Sequence, residues 1–379
     1  MNYKIPVYKP NLQGNGKNYV LSCLESNWIS SKGFFVTEFE EKFKSYLSIP
    51  HATTASNGTV VLHLALLALG IGPGDEVIVP TLTYIASVNA IHYVNAMPIF
   101  VDSQETTWQI NPEEIEKKIT KKTKAIMVVH LYGHPCDMDA ITAIAKKHNL
   151  FIIEDCAEAL GTRYKNQLVG TFGDVATFSF YGNKTITTGE GGMIVTPHKS
   201  LYDLIIRYKG QGLSQNEEYW HDLVGYNYRM TNICAAIGVA QLEKIELFLT
   251  QKRNLAHEYM HQLKHLPIEF HQETPNTHHS YWMISILTNT HQERNGLRTH
   301  LANHGIETRP LFKLIHTMPM YNNTQEPYPI ASSLSARGIN LPSWPDLTLK
   351  EITEICDCIQ KFYTPTIVQT QSQGLIAHE

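Results

Sequence analysis

Lys184 stands one short polar loop beyond an apolar run, in SFYGNKTITTGEGGM (179–193), with a glycine-rich turn behind it. That setting suits an amine that meets a carbonyl compound in a confined pocket, as an imine-forming lysine must. A lone loop lysine is more often a surface charge. Two segments upstream change the balance.

SNGT (56–59) directly precedes an apolar-periodic helix. Ser56 or Asn57 can cap it, Gly58 lets the backbone approach a ligand, and free N–H groups with the helix dipole favour a phosphate. Simple capping is the plainer alternative. Asp155 ends the run LFIIED (150–155), where a strand would deliver it to the ligand edge of a sheet, while alternation sends Glu154 to the opposite face. A carboxylate buried there needs a cationic partner, such as a protonated pyridine nitrogen, unless it is merely a helix N-cap. Together the three elements offer a phosphate cradle, a counter-ion for a ring nitrogen and an amine for an aldehyde. Pyridoxal 5′-phosphate (PLP) has those three handles.

The elements that must position them alternate in type. Apolar runs at 76–80, 98–102, 125–133, 150–155, 175–181 and 192–196 read as strands, with helical periodicity near 58–69, 83–94, 112–120 and 137–148. Near-continuous apolar strands between helices imply an α/β fold with a mostly parallel sheet covered on both faces, and ligands bind beyond the carboxyl ends of such strands. A long helical stretch over 231–266 leads to a strand at 280–287 and helices at 293–305 and 347–363. This predicts a large α/β domain over 1–245, a small C-terminal α+β domain over 246–363 and a flexible tail over 364–379.

The chain has 379 residues, 43% of them hydrophobic and 17% charged, with a formal net charge of −4. No basic footprint for nucleic acid is visible. The longest apolar stretch, 60–69, is too short to span a bilayer, and the first residues do not read as a secretory signal. Six cysteines lie scattered without metal-site spacing, which predicts a reduced, cytoplasmic enzyme with no metal. HEYMH (257–261) fits the zinc-protease pattern, but Phe248, Leu255, Tyr259 and Leu263 form the helix's apolar stripe, and the two histidines project from the other side. GNKT (182–185) lacks P-loop spacing.

Over roughly residues 4–363 the chain resembles the DegT/DnrJ/EryC1/StrS sugar-nucleotide aminotransferases. The match lies in NWISSKG (27–33), PTLTYIASVNA (80–90), HLYGHPCDM (130–138), EDCAEA (154–159), SFYGNKTITTGEGGM and GYNYRMTN (225–232). The resemblance implies fold type I PLP enzymes acting as homodimers with composite active sites. It makes Lys184 the lysine that binds the PLP aldehyde and Asp155 the partner of the pyridine nitrogen. Gly58, Thr59 and Ser179 would hold the phosphate, joined by Asn227 from the second subunit, and Tyr84 would stack on the ring. Glu158 stands where many relatives have Gln beside the ring oxygen, so it must be protonated, bridged or turned toward substrate. Trp28, Ser30, Lys32, Arg229, Arg309 and His316 resemble segments lining the nucleotide-sugar site, although core packing is an alternative for Trp28. Within the family, the likeness is to the branch that aminates GDP-4-keto-6-deoxy-D-mannose with L-glutamate through pyridoxamine 5′-phosphate. UDP- or dTDP-linked ketosugars are the alternative acceptors, and a non-catalytic PLP scaffold is disfavoured by the intact lysine.

Overall fold

The computed structural model describes residues 3–214, 216–322 and 326–364. All but the first residue of the expected tail lies outside them. A seven-stranded sheet runs, edge to edge, through His51–Ala55, Gly192–Thr196, Val175–Ser179, Phe151–Asp155, Thr123–Val129, Glu76–Pro80 and Met97–Val101. Gly192–Thr196 is antiparallel to both neighbours, and the other contacts are parallel. Phe151–Asp155 therefore lies at the centre, with Asp155 in register between Val129 and Thr177.

The apolar runs explain this layout. Val77, Ile78 and Val79 are fully buried, so side chains pointing to either face meet covering helices. Helix Gly58–Ala68 packs Val61, Leu62, Leu64, Ala65 and Leu66 into that core, which accounts for its almost uniformly apolar sequence. At about 25 cal/mol per Å² of apolar surface, each such fully buried Leu or Val stabilises the packing by roughly 1.5–3 kcal/mol.

Several elements differ from the sequence expectation. Edge strand His51–Ala55 and helices Gly16–Glu25, Phe34–Leu47, Lys199–Lys209 and Pro329–Arg337 are additional. The helix over 231–266 is two helices, Asn232–Leu242 and Ile245–Leu263. The first is buried nearly all round, whereas the second keeps one exposed face, and the break at Glu243 and Lys244 reorients the chain between those environments. The strand at 280–287 shortens to Ile284–Leu287 because Tyr281 adopts left-handed backbone, φ 49°, and turns the chain before it. That strand belongs to a four-stranded antiparallel sheet with Glu269–Phe270, Gly338–Leu341 and Arg309–Pro310.

On helix Ile245–Leu263 the HEYMH histidines are exposed, while Phe248, Leu255, Tyr259 and Leu263 are buried. Among the described residues, no helix is long and apolar enough to cross a membrane.

Candidate active site

A cavity of about 730 Å³ opens at the carboxyl ends of the central strands, and Lys184, Asp155, Glu158, Gly58, Thr59, Ser179 and Tyr84 all line it. Each is placed by a different local device. The strand ends at Asp155, and Ser179 closes its neighbour. Asn57 caps helix Gly58–Ala68 by accepting from the N–H groups of Thr59, at 3.1 Å, and Val60, at 3.0 Å. Capping and ligand approach thus coexist: Asn57 caps, and the helix's positive end still faces the cavity. Gly58 is required by contact, because a Cβ there would lie 2.7 Å from Ser179 Cβ and 2.9 Å from its Oγ.

Lys184 follows a tight turn in which its N–H donates to Tyr181 O at 2.9 Å. Its own carbonyl accepts from Tyr8 Oη at 2.6 Å, which fixes the backbone from the N-terminal segment. The ammonium lies 3.8 Å from Glu158 Oε1 and 3.8 Å from the centre of the Trp282 ring system. Burial holds Lys184 below the usual lysine range, opposed by the charges of Glu158 and Asp155.

Asp155 is 4% exposed, accepting from Ser87 Oγ at 2.8 Å and from the Ala157 N–H at 3.0 Å. Burial raises its carboxyl above the ordinary range despite these donors. Such a carboxylate gains from a cation placed in the cavity. Glu158 is pushed up to about 7, by burial first, with Lys184 and the Tyr132 N–H pulling the other way. Glu154 points to the opposite face, as alternation requires, and is fully used there. It accepts from the amides of Gly170, Phe172 and Gly173 and pairs with His130 Nε2 at 3.1 Å.

The chemistry of this donor set fits PLP. A half-buried amine, a buried carboxylate in the same cavity, and a helix N-terminus whose first residue has room only for hydrogen answer to its aldehyde, ring nitrogen and phosphate.

Residues 10–360 match the DegT/DnrJ/EryC1/StrS aminotransferase family. The chain belongs to that family. It is 60% identical to the GDP-perosamine synthase of Escherichia coli O157:H7, over 95% of this chain and 99% of that one. It is 51% identical to the GDP-perosamine synthase of Vibrio cholerae, over 95% and 99%. Among solved structures, Spr1654 of Streptococcus pneumoniae in its PMP form superposes with a TM-score of 0.90 at 28% identity, covering 95% of this chain and 99% of that one. This aminotransferase therefore uses PLP, with a nucleotide sugar and an amino donor as its substrates.

The other expected residues lie elsewhere. Asn227 does not line its own chain's cavity; it is exposed, and its Oδ1 accepts from Arg229 Nη2 at 3.2 Å. Trp28 is 57% exposed, which removes core packing as its explanation. Ser30, Lys32 and Arg229 are also exposed outside the cavity. Arg309 pairs with Glu307 at 2.6 Å, and His316 Nδ1 lies 2.6 Å from Thr81 Oγ1. Conversely, Ser87, Tyr93, Tyr228, Trp282 and Phe312 line the cavity although none of them is a candidate from sequence. Ser87 and Tyr228 sit inside segments that carry the family resemblance, and Phe312 lies between Arg309 and His316, but nothing near Trp282 in the chain links it to Lys184.

Proposed function

We propose that this chain transfers the amino group of L-glutamate to the C4 carbonyl of GDP-4-keto-6-deoxy-D-mannose. The product would be GDP-perosamine, made in the cytoplasm for a bacterial surface polysaccharide, the O-antigen. The observation that carries this reading is the likeness to two GDP-perosamine synthases along nearly the whole of both chains. The cavity supports it with an intact Lys184.

Bound PLP supplies an aldehyde that takes up the donor's amine and a ring that accepts electrons from its α-carbon. Gly58, Thr59 and Ser179 would hold its phosphate, and Tyr84 would flank its ring. Asp155, oriented by Ser87 and the Ala157 amide, would keep a proton on the ring nitrogen. Lys184 Nζ, made less basic by burial, would take the proton from the donor's α-carbon. Glu158, its carboxyl pushed up to about 7, would be partly protonated near neutrality and so could stand beside an oxygen anion of the cofactor without full repulsion. Glutamate leaves as an oxo acid before the ketosugar is aminated, which gives ping-pong kinetics.

Asn227 reaches the phosphate of a second copy, so the working unit is a homodimer. Its exposure in the single chain and absence from that chain's cavity support this. Trp28, Ser30, Lys32, Arg229, Arg309 and His316 contact the nucleotide sugar; Arg309 suits a diphosphate because guanidinium binds phosphate oxygens in a fork.

The test is a glutamate-dependent amination assay across GDP-, UDP- and dTDP-linked 4-ketosugars, alongside the visible absorption of the lysine-bound cofactor. Amination of the GDP sugar is expected. Preference for a UDP or dTDP sugar would remove the GDP assignment, and full activity in Lys184→Ala would remove the mechanism.

A further inference from the structure

His300 lies in the last turns of helix His291–Asn303, and His304 is the residue that ends it, four positions on and so on the same face. Against that face packs helix Leu349–Tyr363, which brings up Cys358. One ring nitrogen from each histidine and the Cys358 sulfur all lie within 4.8 Å of one another. None of the three lines the Lys184 cavity.

The hydrogen bonds around the histidines orient both rings. His300 Nε2 is 3.1 Å from the Cys358 carbonyl oxygen, and His304 Nδ1 is 2.8 Å from that of His300. A carbonyl only accepts, so each ring spends one N–H there, and a neutral imidazole then keeps a lone pair on its other nitrogen. Where that other nitrogen is the one facing the cluster, the carbonyl is the outer support that fixes a metal-binding histidine's tautomer.

Access and donor softness also agree. Cys358 is buried, His300 is half-buried and His304 is exposed, so the cluster is open on one side. The opening is a groove that includes His304, Cys358, Asp357 and Glu354, the last paired with Lys4 at 2.5 Å, and also Lys350 and Lys361. Two imidazoles and a thiolate suit zinc-class ions and disfavour magnesium or calcium, which take oxygen ligands. With metal–ligand bonds of about 2.0–2.3 Å, tetrahedral donors stand roughly 3.3–3.8 Å apart, so a contraction of about 1 Å closes the set.

The other grouping of comparable donors among the described residues, His130, Glu154 and Cys156, is not equivalent. It is sealed, and the Glu154 carboxylate is already saturated by three amides and His130.

We propose that His300, His304 and Cys358 bind one zinc-class divalent cation, with water in the fourth position, clasping two helices of the C-terminal region. Binding replaces the S–H bond of Cys358 with a sulfur–metal bond, and the proton passes to solvent. Sequence spacing hides the site because 58 residues separate His300 from Cys358.

The probe is Co²⁺, titrated into tag-free, PLP-loaded protein after chelator treatment. Its tetrahedral ligand-field bands lie at longer wavelength than the cofactor's absorption. The expected result is one cobalt per chain with those bands, competed away by Zn²⁺. Cys358→Ser should abolish the tetrahedral spectrum, and His304→Ala should weaken binding by about tenfold or more. Both variants should retain amination activity and their cofactor spectrum, which shows that they fold. Failure to bind cobalt tetrahedrally, or a spectrum unchanged in folded Cys358→Ser, would overturn the proposal.

Discussion

The Lys184 ammonium stands 3.8 Å from the centre of the Trp282 ring system, so a residue just ahead of strand Ile284–Leu287 forms one wall of the reacting amine's surroundings. Trp282 is held at both ends. Its Nε1–H donates to Asn183 O at 2.7 Å, and its carbonyl accepts from the buried Lys252 Nζ at 3.0 Å. An indole face attracts an ammonium by about 0.5–2 kcal/mol, which opposes the burial that makes Lys184 less basic. Trp282→Leu should therefore lower the lysine's titration midpoint further. The measurement is acetylation of Lys184 against pH in cofactor-free protein, read by mass spectrometry. An unmoved midpoint would show that the ring only fills space.

Glu158 makes a second prediction, and its sign comes from its carboxyl rising from 4.5 to about 7 on folding. Below pH 4.5 it is protonated in folded and unfolded chains alike and carries no charge to bury. Between 4.5 and 7 the folded chain holds the proton more tightly, so rising pH erodes stability; above 7 the whole penalty is present. Glu158→Gln removes that penalty while its amide oxygen can still accept from Tyr132 N–H. Cofactor-free Glu158→Gln should gain stability over the parent protein between pH 5 and 8, on the order of 3 kcal/mol at most. Denaturant melts at the two pH values measure it. The variant should also still bind PLP, and failure to do so would mean that the ionised carboxylate is itself a cofactor ligand.

Gly58 gives a purely steric prediction. A methyl group there meets Ser179 Cβ at 2.7 Å, closer than side chains pack, so one side of the phosphate cradle must move. Gly58→Ala should reduce PLP affinity by about tenfold or more, since a shift of the cradle disturbs several charge-assisted hydrogen bonds together. Equilibrium dialysis measures the affinity, and an unchanged far-ultraviolet circular dichroism spectrum separates it from unfolding. Unaltered affinity would place the phosphate elsewhere.

What could be read from the chain divides along physical lines. Lys184, Asp155 and the Gly58 turn were legible because each is fixed by its own neighbours: a strand that ends, a cap that begins a helix, a turn after a strand. The parallel sheet was legible because strands buried on both faces read as continuous apolar runs. Trp282 and Phe312 were not, since only tertiary packing brings them to Lys184. Helix Lys199–Lys209 is hidden for another reason. Its buried residues include Lys209, whose ammonium bonds Thr54 O at 2.9 Å and pairs with Glu40, so charge masks an inward face. The residues compared with a nucleotide-sugar site lie outside the cavity of the single chain, where neither periodicity nor local motif constrains them.

A composite site makes the last prediction. If Asn227 serves the partner's phosphate while Lys184 serves its own cavity, the two substitutions damage different chains of the same site. Lys184→Ala and Asn227→Ala homodimers should each be strongly impaired, the first more completely. Mixed one to one and allowed to exchange subunits, half of the dimers are heterodimers, and each contains one site with both residues intact. About a quarter of all sites should then be whole, so the mixture should recover about a quarter of the parent activity. Recovery cannot come from either homodimer, which makes the assay independent of how well each variant binds PLP alone. A mixture no more active than the average of its parts would place both residues in the same chain's site, despite the exposure of Asn227 and its absence from its own cavity.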